Sequence, residues 1–209
     1  MLLEQDKRCF NMESMFLFPV PLFKFDYQST EESKNIIIDQ IKEIESLDST
    51  DISLKYSQGS YTSFYNRTDI LDEDCLQNLK HFVQESVEQA HKHCGLGGGL
   101  QFTRSWANIN RKYSYHEQHH HCPNIWSGVY YVQARDNDAT ICFVNSNIIN
   151  SSWPYKADKI YNNDLNSSQT VCRVTTGMLL IFPSYLQHKV SQHMSDNERI
   201  SIAFNMDLK

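Results

Sequence analysis

His119 and His121 stand one strand-step apart, a third histidine follows at His188, and Arg199-Ile200-Ser201 comes eleven residues later. Side chains alternate across a β-strand, so residues two apart project from one face and His119 and His121 can meet one metal ion. Neutral imidazole suits divalent iron, copper, nickel and zinc. Three ligands drawn from two strands leave the opposite half of the coordination sphere open, which is what a non-haem ferrous oxygenase needs to admit a co-substrate and O₂. The run His116-Glu117-Gln118-His119-His120-His121 holds four of the nine histidines, and strict alternation puts Glu117, His119 and His121 together. Plain polar surface on an exposed strand produces the same cluster, so the rest of the chain must decide.

The C-terminal half decides toward chemistry. Gly177-Met-Leu-Leu-Ile-Phe-Pro-Ser184 reads as an apolar strand that delivers the chain to His188. In Arg199-Ile-Ser-Ile-Ala-Phe-Asn205, alternation places Arg199, Ser201, Ala203 and Asn205 on one face and Ile200, Ile202 and Phe204 on the other. A guanidinium among buried apolar neighbours calls for an anionic partner. Cys122 falls on the face opposite His121 and reads as packing; His116 and His193 are off the pattern and read as surface or supporting residues. Trp126 and Trp153 flank the site in sequence, and both substrate contact and ordinary packing fit them.

These segments resemble the ferrous-iron and 2-oxoglutarate-dependent oxygenase superfamily, most closely its branch common in bacteria and their phages. The segments are His119-x-His121-x-Pro-x-x-x-Ser127-Gly128-Val129-Tyr130-Tyr131, Gly177-x-x-x-x-Phe182-Pro183-Ser184-x-x-x-His188 and Arg199-x-Ser201-x-x-x-Asn205. The similarity spans about 100–207, and 17–26 looks like that branch's opening strand. The resemblance implies His119 and His188 as catalytic iron ligands. It implies Arg199 and Ser201 as partners of the distal carboxylate of 2-oxoglutarate, with Tyr131 or Asn108 adding a hydrogen bond. It further implies an Fe(II)- and 2-oxoglutarate-dependent hydroxylase that yields succinate and CO₂ and acts on an unknown substrate. Where the superfamily supplies Asp or Glu, this chain has His121. Three outcomes are open: His121 as third ligand, which its spacing favours, a water, or Glu117 reaching in. Two rival readings are a three-histidine, cupin-like dioxygenase that uses no 2-oxo acid, and a non-catalytic jelly-roll module that holds a metal.

The positioning elements follow from periodicity. Residues 15–26 alternate apolar groups around two prolines, as an edge strand does. Ser29-x-x-Glu32 reads as a capping box for a helix over about 30–47, with Ile36, Ile37, Ile41 and Ile44 as its apolar stripe. A second amphipathic helix over about 72–93 ends at Gly95, and Gly97-Gly98-Gly99 lacks the Lys-Ser/Thr of a phosphate loop. Residues 48–69 read as a long surface segment able to act as a lid. Eight short strands follow, near 100–110, 115–121, 126–134, 139–145, 169–175, 178–183, 186–193 and 199–207. The expected fold is α+β: a double-stranded β-helix (jelly-roll) core with the two N-terminal helices packed on one sheet. Residues 1–209 read as a single domain: a loose leader at 1–14, an N-terminal strand and helices at 15–99, and the jelly roll at 100–207.

Bulk properties narrow the partners. The formal net charge of −6 gives no general attraction to phosphate backbones, so nucleic acid is not expected. Six cysteines without a Cys-x-x-Cys pair suit reduced thiols and a cytoplasmic protein, and no apolar run reaches a membrane span. The expected small-molecule partners are 2-oxoglutarate and O₂, with a homodimer left open.

Overall fold

The computed structural model describes residues 15, 18–48, 60–135, 138, 140–145 and 166–209. The expected leader at 1–14, half of the lid segment (49–59) and Trp153 lie outside them. Helix α1 spans Glu31–Leu47 and buries Ile37, Ile41 and Ile44, three of the four isoleucines of the expected stripe; Ile36 is half exposed. The cap is one residue later than the sequence suggests. Thr30 is extended, and its hydroxyl accepts from the Ser33 N–H, which satisfies one of the first-turn donors the helix cannot pair internally.

Helix α2 spans Gln77–His93. Residues 70–76, expected in part as its first turn, form two 3₁₀ turns around Glu73, whose extended backbone delays the α-helix. The C-terminus closes through Gly95 at φ 72°, where Leu96 N–H donates to His91 O.

Ten strands are present among the described residues: β1 (Phe23–Asp26), β2 (Tyr61–Thr62), β3 (Leu100–Asn110), β4 (His116–His119), β5 (Trp126–Gln133), β6 (Ile141–Val144), β7 (Gln169–Cys172), β8 (Met178–Pro183), β9 (His188–Val190) and β10 (Arg199–Leu208). They pair antiparallel into two sheets, one of order β1-β8-β5-β10-β3-β2 and one of order β4-β9-β6-β7. The fold is therefore the expected α+β jelly roll. The edge strand keeps only Phe23–Asp26, after Pro19 and Pro21, and pairs on one side with β8.

Two apolar layers follow from the period-two pattern. Ala107, Ile109, Ile200, Ile202, Phe204 and Met206 face outward from the larger sheet and meet α1 and α2. Val129, Tyr131, Leu180 and Phe182 face inward and pack on Ile141 and Phe143 of the smaller sheet. Ile41, Ile200 and Ile202 are fully buried, and each such side chain contributes roughly 1.5–3 kcal/mol by leaving water. Gly128 lets β5 lie close under Phe204: a Cβ there would stand 2.3 Å from its Cζ and 2.7 Å from the Leu180 carbonyl oxygen. At the helix edge, Arg111 grips Glu45 with two bonds of 2.7 and 2.8 Å and Glu198 with a third of 3.0 Å, tying α1 to the ends of β3 and β10. No described helix is long and apolar enough to cross a membrane.

Candidate metal centre

The antiparallel register of the smaller sheet sets His119 directly opposite His188, with ring centroids 4.4 Å apart. His121 lies two residues beyond the end of β4. Its N–H donates to Ser184 O at 2.8 Å, which turns the chain back over the sandwich and brings its ring to 5.0 Å from His119 and 5.1 Å from His188. Ser184 is held in turn: its hydroxyl meets Ser127 Oγ at 2.7 Å, and Ser127 donates to Asn205 Oδ1 at 2.8 Å. One ligand atom from each of the three histidines lies within 4.8 Å of the others, the only such group of metal-ligating side chains among the described residues.

The rings are prepared as ligands. Nδ1–H of His119 donates to Glu117 O at 2.6 Å and that of His188 to Leu186 O at 2.9 Å, which fixes the tautomer and leaves Nε2 of both facing the group. Burial drives His121 down to about 3 and His188 to about 4 and also lowers His119, with the neighbouring imidazoles adding to the shift in each. All three are neutral near pH 7, the state that binds metal.

Glu117 does not face this group. The register shifts between His116 and His119, so alternation breaks inside β4. His116 and His119 then share the inner face, while Glu117 is exposed. The carboxylate alternative is thereby removed among the described residues. His116, expected at the surface or in support, lines the cavity instead. His193 is wholly buried, its Nε2 2.5 Å from Asn197 O, and is likewise no surface residue. Trp126 faces the helices, where its indole donates to His91 Nδ1 at 3.0 Å, so it is packing. Cys122 is exposed rather than packed.

Between the sheets lies a cavity of about 500 Å³, counted to its open mouth. Its walls include the three histidines, His116, Trp106, Asn108, Tyr131, Arg199 and Ser201. Strand register explains the last four: β10 runs between β3 and β5, with Ser201 flanked by Asn108 and Tyr131, and Arg199 beside Asn110. Arg199 is only 2% exposed; it donates to Asn110 Oδ1 at 2.7 Å and its guanidinium lies 5.7 Å from the Tyr131 ring. Burial lowers its pKa while Tyr131 and buried Asp138 oppose the shift. Burial raises Tyr131, which stays a neutral phenol. Asn108 is buried and its Oδ1 has no hydrogen-bond partner.

Ferrous iron and a diacid fit these residues. Metal–imidazole bonds of about 2.0–2.1 Å put adjacent nitrogens of one ion roughly 3–3.5 Å apart, within reach of small ring movements here. A buried guanidinium, a hydroxyl, and an amide whose half-turn about χ2 presents NH₂ in place of the orphaned oxygen together suit a carboxylate.

Residues 104–205 match the family described as "Putative 2OG-Fe(II) oxygenase". The match covers the jelly-roll half of the chain. Its matched span runs from mid-β3 to mid-β10 and contains all three histidines, Arg199 and Ser201. Among solved structures, the chain is similar to a Pseudomonas putida prolyl-4-hydroxylase: TM-score 0.63, 8% identity, 91% of this chain and 94% of that one covered. HygX from Streptomyces hygroscopicus, solved with nickel, 2-oxoglutarate and hygromycin B, gives TM-score 0.59 and 11% identity over 91% of this chain and 84% of that one. The viral collagen prolyl hydroxylase of Paramecium Bursaria Chlorella virus-1 gives 0.56 and 12% over 88% and 94%. At these identities the likeness is one of fold. None of the curated proteins matches the chain.

Proposed function

We propose that the protein is an Fe(II)- and 2-oxoglutarate-dependent oxygenase that hydroxylates a substrate, with His119, His121 and His188 as iron ligands. The observation that carries the reading is the pairing of an all-imidazole triad with a buried Arg199 in one cavity. When bound, iron with the 2-oxo acid and O₂ supplies the oxidation of an unactivated C–H bond, with succinate and CO₂ as co-products.

The chain's own work is positional. His119 and His188, locked by their backbone carbonyl partners, present Nε2 across the β4–β9 pair. Arg199 and Ser201 anchor the distal carboxylate, and Asn108 or Tyr131 adds a donor beside it. Phe182, Val129 and Ile141 wall the cavity with apolar surface and limit water around the reacting centre. Three neutral ligands leave the centre one unit more positive than a set containing a carboxylate, which favours binding of an anionic co-substrate.

The lack of a carboxylate in the triad also suits a cupin-like dioxygenase that takes no 2-oxo acid, and Arg199 separates the two. With Mn(II) in place of iron, 2-oxoglutarate should raise the melting temperature, Arg199→Ala should lose that rise, and His119→Ala or His188→Ala should abolish substrate-independent succinate formation. A protein indifferent to 2-oxo acids in every assay contradicts the proposal and leaves the cupin-like reading.

A further inference from the structure

His116 is the cavity residue to which neither the family pattern nor the triad gives a task. The register shift in β4 turns it inward, three residues before His119 and opposite Val190. It thus stands on the smaller sheet, whereas Arg199, Ser201, Asn108 and Tyr131 project into the same cavity from the larger one. Arg199 is close enough to act on it electrostatically, along with His119 and His188. Neither ring nitrogen of His116 hydrogen-bonds to a described residue. The ring is therefore a polar group on the cavity wall whose hydrogen-bonding capacity is still to be used. A guanidinium and an imidazole facing each other across a cleft, with no carboxylate on its walls, form a clamp for an anion.

We propose that His116 donates a hydrogen bond to the distal carboxylate of the 2-oxo acid, across the cavity from Arg199, and so selects dicarboxylic over monocarboxylic 2-oxo acids. The inference rests on the oxygenase reading above. A neutral imidazole has one N–H to give and does not repel the guanidinium, so the carboxylate can take bonds from both sheets at once. His116 is a binding residue by this assignment, and the metal does not depend on it.

The test uses the full chain loaded with Mn(II) without O₂, and compares wild type with His116→Phe, which keeps a flat ring and removes the donor. Affinity for 2-oxoglutarate should fall about ten-fold or more, the usual loss for a hydrogen bond to a charged group. Affinity for 2-oxobutyrate, which lacks the distal carboxylate, and for Mn(II) alone should stay within about two-fold. His116→Gln, which keeps an N–H donor, should recover part of the 2-oxoglutarate affinity and also serves if the phenylalanine variant does not fold. Equal losses for both acids, a loss of Mn(II), or no loss for either acid overturns the assignment. Wild-type protein that binds Mn(II) but ignores 2-oxoglutarate overturns the oxygenase reading as well, so the two failures are told apart.

Discussion

At the scale of single residues, the break in alternation within β4, not parity, decides which side chains gather at the candidate metal centre. His121 and Glu117 compete in sequence for the third position, and the structure leaves Glu117 exposed, its carbonyl accepting from the His119 ring. Glu117→Gln should leave Mn(II) affinity unchanged while His121→Ala lowers it at least about ten-fold, as expected when a ligand or its immediate support is lost; isothermal titration reads both. Protonation tests the same residues. His188 and His121 are held near 4 and 3, below the ordinary 6.5, so the unfolded chain takes up protons first as pH falls. Their contribution is fully present above about 6.5 and is lost as pH falls toward about 4. Metal-free protein should therefore show a denaturation midpoint that declines through that window. The decline should be shallower in His188→Leu than in wild type.

At the scale of elements, periodicity reads well and irregularity does not. Strands β3, β5, β8 and β10 fall within a residue of where alternation and turn residues put them, and the inner face of β10 carries Arg199, Ser201 and Ala203 as expected. The register shift in β4 has no such signal, because a bulge is set by how two strands meet across the sheet rather than by residue order. That one irregularity turns His116 into the cavity, against the sequence expectation, and directs Glu117 away from the three histidines. The cap of α1 is read one residue early because Ser29 and Thr30 are both competent cap residues, and it is the Thr30 hydroxyl that meets the Ser33 N–H. Gly128 is legible only as part of a motif, yet its packing demand is sharp. Gly128→Ala should cost about 1–3 kcal/mol, the usual penalty for overpacking a filled core, measured as a lower denaturant midpoint.

At the scale of the whole molecule, the two sheets divide the work. The smaller sheet carries the paired His119 and His188 and the inward His116, while the larger carries the Arg199–Ser201 floor and is braced from outside by α1 and α2. The site exists only where the sheets face each other, which is why no single segment of sequence displays it and the combination of three segments does. The most direct measurement is a crystal grown without O₂ with Mn(II) and 2-oxoglutarate, read by anomalous scattering. One manganese peak should lie within bonding distance of His119, His121 and His188, with the diacid reaching from that ion to Arg199. A peak that omits His188, or a diacid bound away from Arg199, would contradict the assignment.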